Sequence, residues 1–250
     1  MLSETLDPPN QKRGDFKQAM NFGEFTASGE PQQPITAALS PHIPAIAAFS
    51  AQCAALSRRI MRLFAQALKI APDAGGKEYF TACHTSANGP SGSIMRLLYY
   101  PAAPPDFDPA SDIRAGAHSD YGSLTLLFQH RNETGLEILS PNGGWNPVPV
   151  VPEAICVNIG DLLSYWTGGL LRSTIHRVVV PKDQNGDLDK AERYSMVYFC
   201  HPVDTTPLVV IPSEMVRARG GRGANDTERK VLTAAEHLKS RLAATYGWKN

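Results

Sequence analysis

The sequence predicts a mainly β protein in which antiparallel sheets form a sandwich or jelly roll flanked by helices. Short strand-like runs between residues 93 and 211 are separated by Gly, Pro, Asn and Asp turns, with no helical pattern between them. An amphipathic helical pattern precedes these runs and a second one follows them. The runs are SIMRLLYYP, LTLLFQ, GLEIL, AICVNIG, TIHRVVVP, RYSMVYFC and PLVVI.

The N-terminal part of the chain, residues 1–87, is predicted to be an arm followed by a long helix that packs on the core. Residues 1–37 are rich in Pro, Gln, Asn and Gly and predict an irregular arm. Ser40 is suited to cap a helix that has Pro41 at its first position. Apolar side chains then recur at spacings of three and four, at Ile46, Phe49, Cys53, Leu56, Ile60, Leu63 and Ala67.

The remaining part, residues 88–250, is predicted to form the β core with a C-terminal helix. Thr233 and Glu236 have the spacing of a capping box at the start of that helix. A chain of 250 residues is compatible with one domain of this kind.

Composition excludes several classes of partner. The 24 Lys and Arg residues balance the 24 Asp and Glu residues, so no net field attracts nucleic acid or an acidic membrane. No apolar stretch is long enough for a membrane helix, and the start of the chain lacks a signal-peptide pattern. The four cysteines include no C-x-x-C pair. We therefore expect a soluble cytoplasmic protein with a small-molecule partner.

Two groups of the kind that bind metals precede the strand LTLLFQ. In an extended segment side chains alternate between faces, so His118 and Asp120 point to one side and Ser119 to the other. A second histidine, His176, lies in the β-branched run TIHRVVVP. Taken alone, His176 is also compatible with a hydrogen-bonded core histidine. Two histidines and a carboxylate suit a non-haem Fe(II) site, although zinc hydrolases use similar ligands.

The run RYSMVYF provides a candidate anion site. Strand alternation puts Arg193 and Ser195 on one face and Tyr194 on the other. A guanidinium beside a hydroxyl suits a carboxylate, because it offers forked donors and charge. The alternative interpretation is an edge strand on which Arg193 faces solvent.

Taken in order, HSD at 118–120, His176 within LLRSTIHRVVVP and RYS at 193–195 resemble the iron- and 2-oxoglutarate-dependent dioxygenase superfamily, in particular its isopenicillin N synthase-like branch. GLEIL, NIGD at 158–161 and SYWTGG add to the resemblance, which runs from about residue 94 to the C-terminal helix. The resemblance implies a distorted double-stranded β-helix, the jelly roll of that family.

The resemblance also implies roles for particular residues. It assigns His118, Asp120 and His176 to Fe(II), Arg193 and Ser195 to the distal carboxylate of 2-oxoglutarate, and Tyr100 to a further cosubstrate contact. O₂ is the other cosubstrate. Relatives often place an Asn where this chain has Leu98, so one polar contact is missing.

Three functions are compatible with the sequence. The main hypothesis is an Fe(II)- and 2-oxoglutarate-dependent oxygenase that hydroxylates a small organic molecule and releases succinate and CO₂. The alternatives are an oxidase of the same branch that does not use 2-oxoglutarate, and a non-catalytic jelly-roll protein. The sequence does not identify the substrate; aromatic residues that are candidates for lining its cavity, though more typical of a core, are Phe128, Trp145 and Trp166.

Relatives carry an N-terminal region that packs on the barrel, and this chain begins inside that zone. We therefore expect a bare sheet edge or apolar patch, unless a partner or the 1–37 arm covers it. An open substrate entrance and a poorly soluble or oligomeric chain would follow.

Overall fold

A computed structural model describes residues 6–7, 10–130, 133–182, 185–189, 191–219 and 231–246. Residues 220–230 and 247–250, which belong to the predicted core and its last helix, lie outside the described residues. The strands in chain order are β1 (Gln18–Phe22), β2 (Ile94–Tyr100), β3 (Ala115–His118), β4 (Leu124–Gln129), β5 (Leu136–Leu139), β6 (Trp145–Pro147), β7 (Cys156–Ile159), β8 (His176–Val178) and β9 (Arg193–Cys200).

The strands form two antiparallel sheets, as the sequence predicted. The major sheet has the order β1-β2-β9-β4-β7, and the minor sheet has the order β3-β8-β5-β6. Alternation along β9 buries Arg193, Ser195 and Val197 and exposes Tyr194 and Met196. The inner faces of the sheets therefore line a shared interior, without closing into a barrel.

The helices are α1 (Ile43–Ala67), α2 (Tyr79–Cys83), α3 (Asp161–Trp166), α4 (Glu214–Ala218) and α5 (Ala234–Tyr246). Among the described residues, no helix combines the length and the apolarity that a membrane crossing needs. The predicted capping box of the last helix is confirmed. The Thr233 N–H donates to Glu236 Oε2 at 2.9 Å, and the Glu236 N–H donates to Thr233 Oγ1 at 3.2 Å.

The start and the apolar stripe of α1 differ from the prediction. Residues Ser40–His42 form a 3₁₀ turn, and no side chain caps α1. The Ser40 hydroxyl instead donates to the Thr36 carbonyl. Leu63, assigned to the buried stripe, is 62% exposed, whereas Met61 and Ala65 are fully buried. The stripe shifts because α1 packs first on the major sheet and then on the cluster around α2 and α3.

The arm is not wholly irregular, which corrects the prediction for residues 1–37. Its residues 18–22 form β1, which pairs with β2 from Gln18 opposite Tyr99 to Phe22 opposite Met95. The arm thus covers the edge of β2, which is one of the two exceptions named with the expectation of a bare sheet edge. The predicted boundary at residue 87 and the predicted oligomeric behaviour stay predictions.

The run PLVVI is not a strand, contrary to the prediction. Pro207 forms an isolated bridge with Thr233, and the Leu208 N–H donates to the Leu232 carbonyl. Leu208 and Ile211 are buried in the cluster that includes α3. The β-branched and apolar composition of the run explains the strand-like pattern, but no neighbouring strand completes a ladder among the described residues.

Candidate functional site

A cavity of about 100 Å³ lies between the two sheets. Leu98, Leu127, Leu136, Val178 and Val197 contribute apolar wall. All six residues predicted from the sequence line it, and they are His118, Asp120, His176, Arg193, Ser195 and Tyr100. Strand register therefore brings together groups that are far apart in the chain.

Three potential metal ligands converge at one end of the cavity. One ligand atom from each of His118, Asp120 and His176 lies within 4.8 Å of the others. His118 ends β3 and pairs with His176, which begins β8. Their ring centroids are 4.4 Å apart, and His176 Nε2 lies 3.7 Å from Asp120 Oδ1. Asp120 reaches the same point from the turn that follows β3.

Backbone carbonyls orient both imidazole rings. His118 Nδ1 lies 2.7 Å from the Gly116 carbonyl oxygen, and His176 Nδ1 lies 3.1 Å from the Thr174 carbonyl oxygen. A carbonyl oxygen only accepts, so each Nδ1 carries the hydrogen and each Nε2 keeps a lone pair. The two Nε2 atoms are the atoms left for a metal ion.

Thr125 and Asn158 hold the Asp120 carboxylate. The Thr125 hydroxyl and the Asn158 side-chain amide both donate to Asp120 Oδ2, each at 2.7 Å. The two donors pair across β4 and β7. Asp120 Oδ1 is the oxygen that faces His176. Neither donor was predicted from the sequence, although Asn158 begins the NIGD turn at 158–161.

Gly160 allows the NIGD turn to lie close to the backbone of Gly122. A Cβ at Gly160 would lie 2.3 Å from the Gly122 carbonyl oxygen. The Asp161 N–H behind it donates to the Asp120 carbonyl at 2.7 Å. The absence of a side chain at Gly160 therefore lets the end of β7 sit against the segment that carries Asp120.

Burial and mutual charge set the protonation of the cluster. Burial, followed by the nearby His176 charge, lowers the pKa of His118 to about 4. Burial acts to raise the pKa of Asp120, but His176, His118 and hydrogen bonds from Asn158 and Thr125 outweigh it and lower that pKa. A neutral imidazole beside an ionised carboxylate is the state that binds a divalent cation.

Arg193 lies at the other end of the cavity and is 2% exposed, so the solvent-facing alternative is wrong. Its Nη1 donates to Ser195 Oγ at 3.4 Å and its Nη2 to Gln129 Oε1 at 3.1 Å. Its Cζ lies 5.0 Å from the centre of the Tyr100 ring. Within the described part of the chain, Arg193 has no carboxylate partner. A buried guanidinium without a counter-ion is costly, and an anionic ligand would offset that cost.

The aromatic residues considered as cavity lining lie elsewhere. Trp166 packs in the core against Phe80, and Phe128 packs against Phe49. Trp145 stacks under Arg177, whose Cζ lies 4.1 Å from the ring centre. The cavity is instead lined by Phe199 and by two cations that the sequence analysis did not single out, Lys17 and Arg96.

Comparisons with known proteins agree with this geometry. Residues 91–202 match the 2OG-Fe(II) oxygenase superfamily. The chain is 34% identical to the UPF0676 protein C1494.01 of Schizosaccharomyces pombe, over 99% of this chain and 70% of that protein. It is 32% identical to the 2-oxoglutarate-dependent dioxygenase frbA of a Dothideomycetidae species, over 79% of this chain and 56% of that protein.

A solved structure shows the same architecture. A full-length Neurospora crassa protein in complex with alpha-KG and thymine superposes with a TM-score of 0.75 at 30% identity, over 98% of this chain and 72% of that one. This chain thus spans between about half and three quarters of the length of these relatives. It belongs to the 2OG-Fe(II) oxygenase superfamily, the family whose cofactors are Fe(II) and 2-oxoglutarate.

Proposed function

We propose that this protein is an Fe(II)- and 2-oxoglutarate-dependent oxygenase that hydroxylates a small organic substrate and releases succinate and CO₂. The observation that carries the proposal is the convergence of three ligand atoms within 4.8 Å, in the same cavity as a buried arginine that lacks a carboxylate partner among the described residues. This chain thus provides both the three potential metal ligands and the arginine that is suited to bind an anion.

The metal in the proposal is held by His118, Asp120 and His176. Two neutral imidazole nitrogens and one carboxylate oxygen match the donor set of a facial triad, which leaves other coordination positions open. The carbonyls of Gly116 and Thr174 fix the ring tautomers, while the outer carboxylate oxygen accepts hydrogen bonds from two neighbouring side chains. The site therefore fits the ion without rearrangement of its hydrogen bonds.

In the proposal Arg193, Ser195 and Tyr100 hold 2-oxoglutarate. Ser195 lies four residues before Phe199 on β9, and Phe199 pairs with Thr125, which holds Asp120. Arg193 and the triad line the same cavity, so a dicarboxylate with one end at Arg193 directs its other end towards the triad. Leu98, opposite Ser195, contributes an apolar wall in place of a polar contact.

When bound, Fe(II), 2-oxoglutarate and O₂ supply the oxidation of a C–H bond, coupled to decarboxylation of the cosubstrate. The protein's own residues orient the cosubstrate and exclude water from the site. Arg193 and Ser195 fix one end of the cosubstrate, and the apolar side chains of Leu127, Leu136 and Val197 keep water away from the triad. Asp120 stays ionised and His118 stays neutral because of the contacts described above.

In this proposal the substrate is a small molecule and the reaction takes place in the cytoplasm. The protein is assigned to the isopenicillin N synthase-like branch of the superfamily. The cavity between the sheets is small, and the Neurospora crassa protein similar to this chain binds thymine. The zero net charge of the chain agrees with a partner that is not a nucleic acid.

Anaerobic addition of Fe(II) and 2-oxoglutarate tests the proposal. We expect the visible absorption band of the Fe(II)–2-oxoglutarate complex, followed by succinate when O₂ is admitted. Fe(II) binding without the band or succinate, together with oxidation of another added molecule, would favour the oxidase that does not use 2-oxoglutarate. Absence of metal binding would favour a non-catalytic protein.

A further inference from the structure

Lys17 is a charged residue inside the cavity that the proposed function does not use. It lines the same cavity as His118, Tyr100 and Arg193, and its side chain is only 6% exposed. Lysine is seldom buried, because its ammonium loses hydration in the interior. A buried lysine that lines the cavity proposed to bind 2-oxoglutarate therefore suggests a binding role.

The N-terminal arm fixes Lys17 in place. The Nζ atom of Lys17 lies 2.8 Å from Asp15 Oδ2, and the Asp15 side chain is fully buried. The other oxygen, Asp15 Oδ1, accepts from the Gly116 N–H at 3.1 Å and from the Gln11 amide at 2.8 Å. The Gly116 carbonyl in turn accepts from His118 Nδ1. The arm is thus tied to the strand that carries the first metal ligand.

The register of the major sheet locates Lys17 between the two ends of the site. Gln18 pairs with Tyr99, so continuation of the ladder puts Lys17 opposite Tyr100, which pairs with Arg193. At the other end, Asp15, the ion-pair partner of Lys17, accepts a hydrogen bond from the backbone of β3, the strand that ends in His118. The sheet register and the ion pair therefore connect Lys17 to both ends of the site.

A purely structural role is a poor explanation for this ion pair. Burying two charges costs solvation that their attraction rarely exceeds, and an apolar pair of similar volume is often as stable. The Lys17–Asp15 pair is buried beside the cavity that holds the proposed metal ligands and Arg193. Retention of the charge is better explained by a ligand that needs it.

We propose that Lys17 is a cosubstrate-binding residue, a cationic contact for the oxygens of 2-oxoglutarate in addition to Arg193. This inference rests on the proposed function, because it assumes that 2-oxoglutarate occupies the cavity. Contact of Lys17 with the primary substrate, and a purely structural pairing with Asp15, are the two competing roles.

The test is a titration of 2-oxoglutarate into Fe(II)-loaded protein under anaerobic conditions, followed by the visible band and by calorimetry. We expect Lys17→Met to raise the Kd for 2-oxoglutarate by about tenfold or more, with unchanged Fe(II) affinity. Lys17→Arg should recover most of the affinity because it keeps the charge. Lys12→Met, which replaces an exposed lysine on the same arm, is the matched control and should bind as the wild type does.

A double variant separates binding from folding. Asp15→Asn combined with Lys17→Met removes both charges, so it avoids a lone buried carboxylate and should stay folded. Weak 2-oxoglutarate binding by this folded variant supports the proposal. A Kd for 2-oxoglutarate in the double variant equal to that of the wild type overturns the proposal. Lys17 would then either contact the primary substrate or only pair with Asp15. If the wild type itself does not bind 2-oxoglutarate, both the proposed function and the role of Lys17 are overturned. If only the variants bind as the wild type does, the role of Lys17 alone is overturned.

Discussion

The side-chain amide of Asn158 donates to Oδ2 of Asp120 across 2.7 Å, and this contact joins the major sheet to the turn that carries the carboxylate. It leaves Oδ1 directed at His176. The orientation of the proposed metal ligand is thus determined by a residue that is not itself one of the three ligands.

Removal of the Asn158 amide should weaken metal binding. Asn158→Ala leaves Asp120 with Thr125 as its side-chain donor, so the carboxylate is less well oriented and its pKa rises. We expect Fe(II) affinity to fall by about 10- to 100-fold. Anaerobic titration with a competing chelator measures the change. Asn146→Ala, which removes an exposed amide on β6, should bind Fe(II) as the wild type does, and equal affinities in both variants would contradict the assigned role.

Replacement of any one triad residue should abolish stable Fe(II) binding. His118→Ala, Asp120→Ala and His176→Ala each leave two ligands, which do not compete with water for the ion. Metal content after gel filtration of the three purified variants is the measurement. His42→Ala, which removes an exposed histidine just before α1, is the control. A variant that retains wild-type affinity removes its residue from the triad.

Arg193→Ala should keep iron and lose 2-oxoglutarate. The lost charge-assisted contact is worth about 1.5 to 3 kcal/mol, which corresponds to about 10- to 150-fold in Kd. Titration of the Fe(II)-loaded variant checks this, with Arg59→Ala as a variant of an exposed arginine. Unchanged 2-oxoglutarate affinity in Arg193→Ala would favour the oxidase alternative.

Gly160→Ala should destabilise the protein and loosen the metal site. The added Cβ would lie 2.3 Å from the Gly122 carbonyl oxygen, so the turn after β7 must move away from Asp120. Overpacking of this kind costs about 1 to 3 kcal/mol. Urea unfolding measures the loss. Gly144→Ala, where the new Cβ meets no atom within 4 Å, should unfold as the wild type does.

Acidification should destabilise the metal-free protein between pH 6.5 and 4. Burial lowers the pKa of His84, His118, His201 and His237 to about 4 each, below the ordinary value of 6.5. In that window the unfolded chain binds more protons than the folded one, so the free energy of unfolding falls as pH falls. Urea unfolding at about pH 7 and about pH 5 tests this. His84→Gln should show a shallower dependence, and an identical dependence would exclude His84 from the effect.

The sequence by itself determined six of the residues that line the candidate site. Side-chain alternation put Arg193 and Ser195 on one buried face and Tyr194 outside, because a strand has a period of two whatever its neighbours are. The order HSD, His176 and RYS was enough to predict the family, and Thr233 with Glu236 predicted the cap of α5 from local contacts alone.

Only the tertiary structure decided which partners these residues meet. Lys17 lines the cavity because β1 pairs with β2, and Asn158 reaches Asp120 because β7 pairs with β4. Such pairings join segments far apart in the chain, and local pattern does not specify them. For the same reason PLVVI has the pattern of a strand but pairs with no neighbouring strand in the part of the chain that the structure describes. Leu63 fits the predicted apolar stripe of α1, but packing buries Met61 instead.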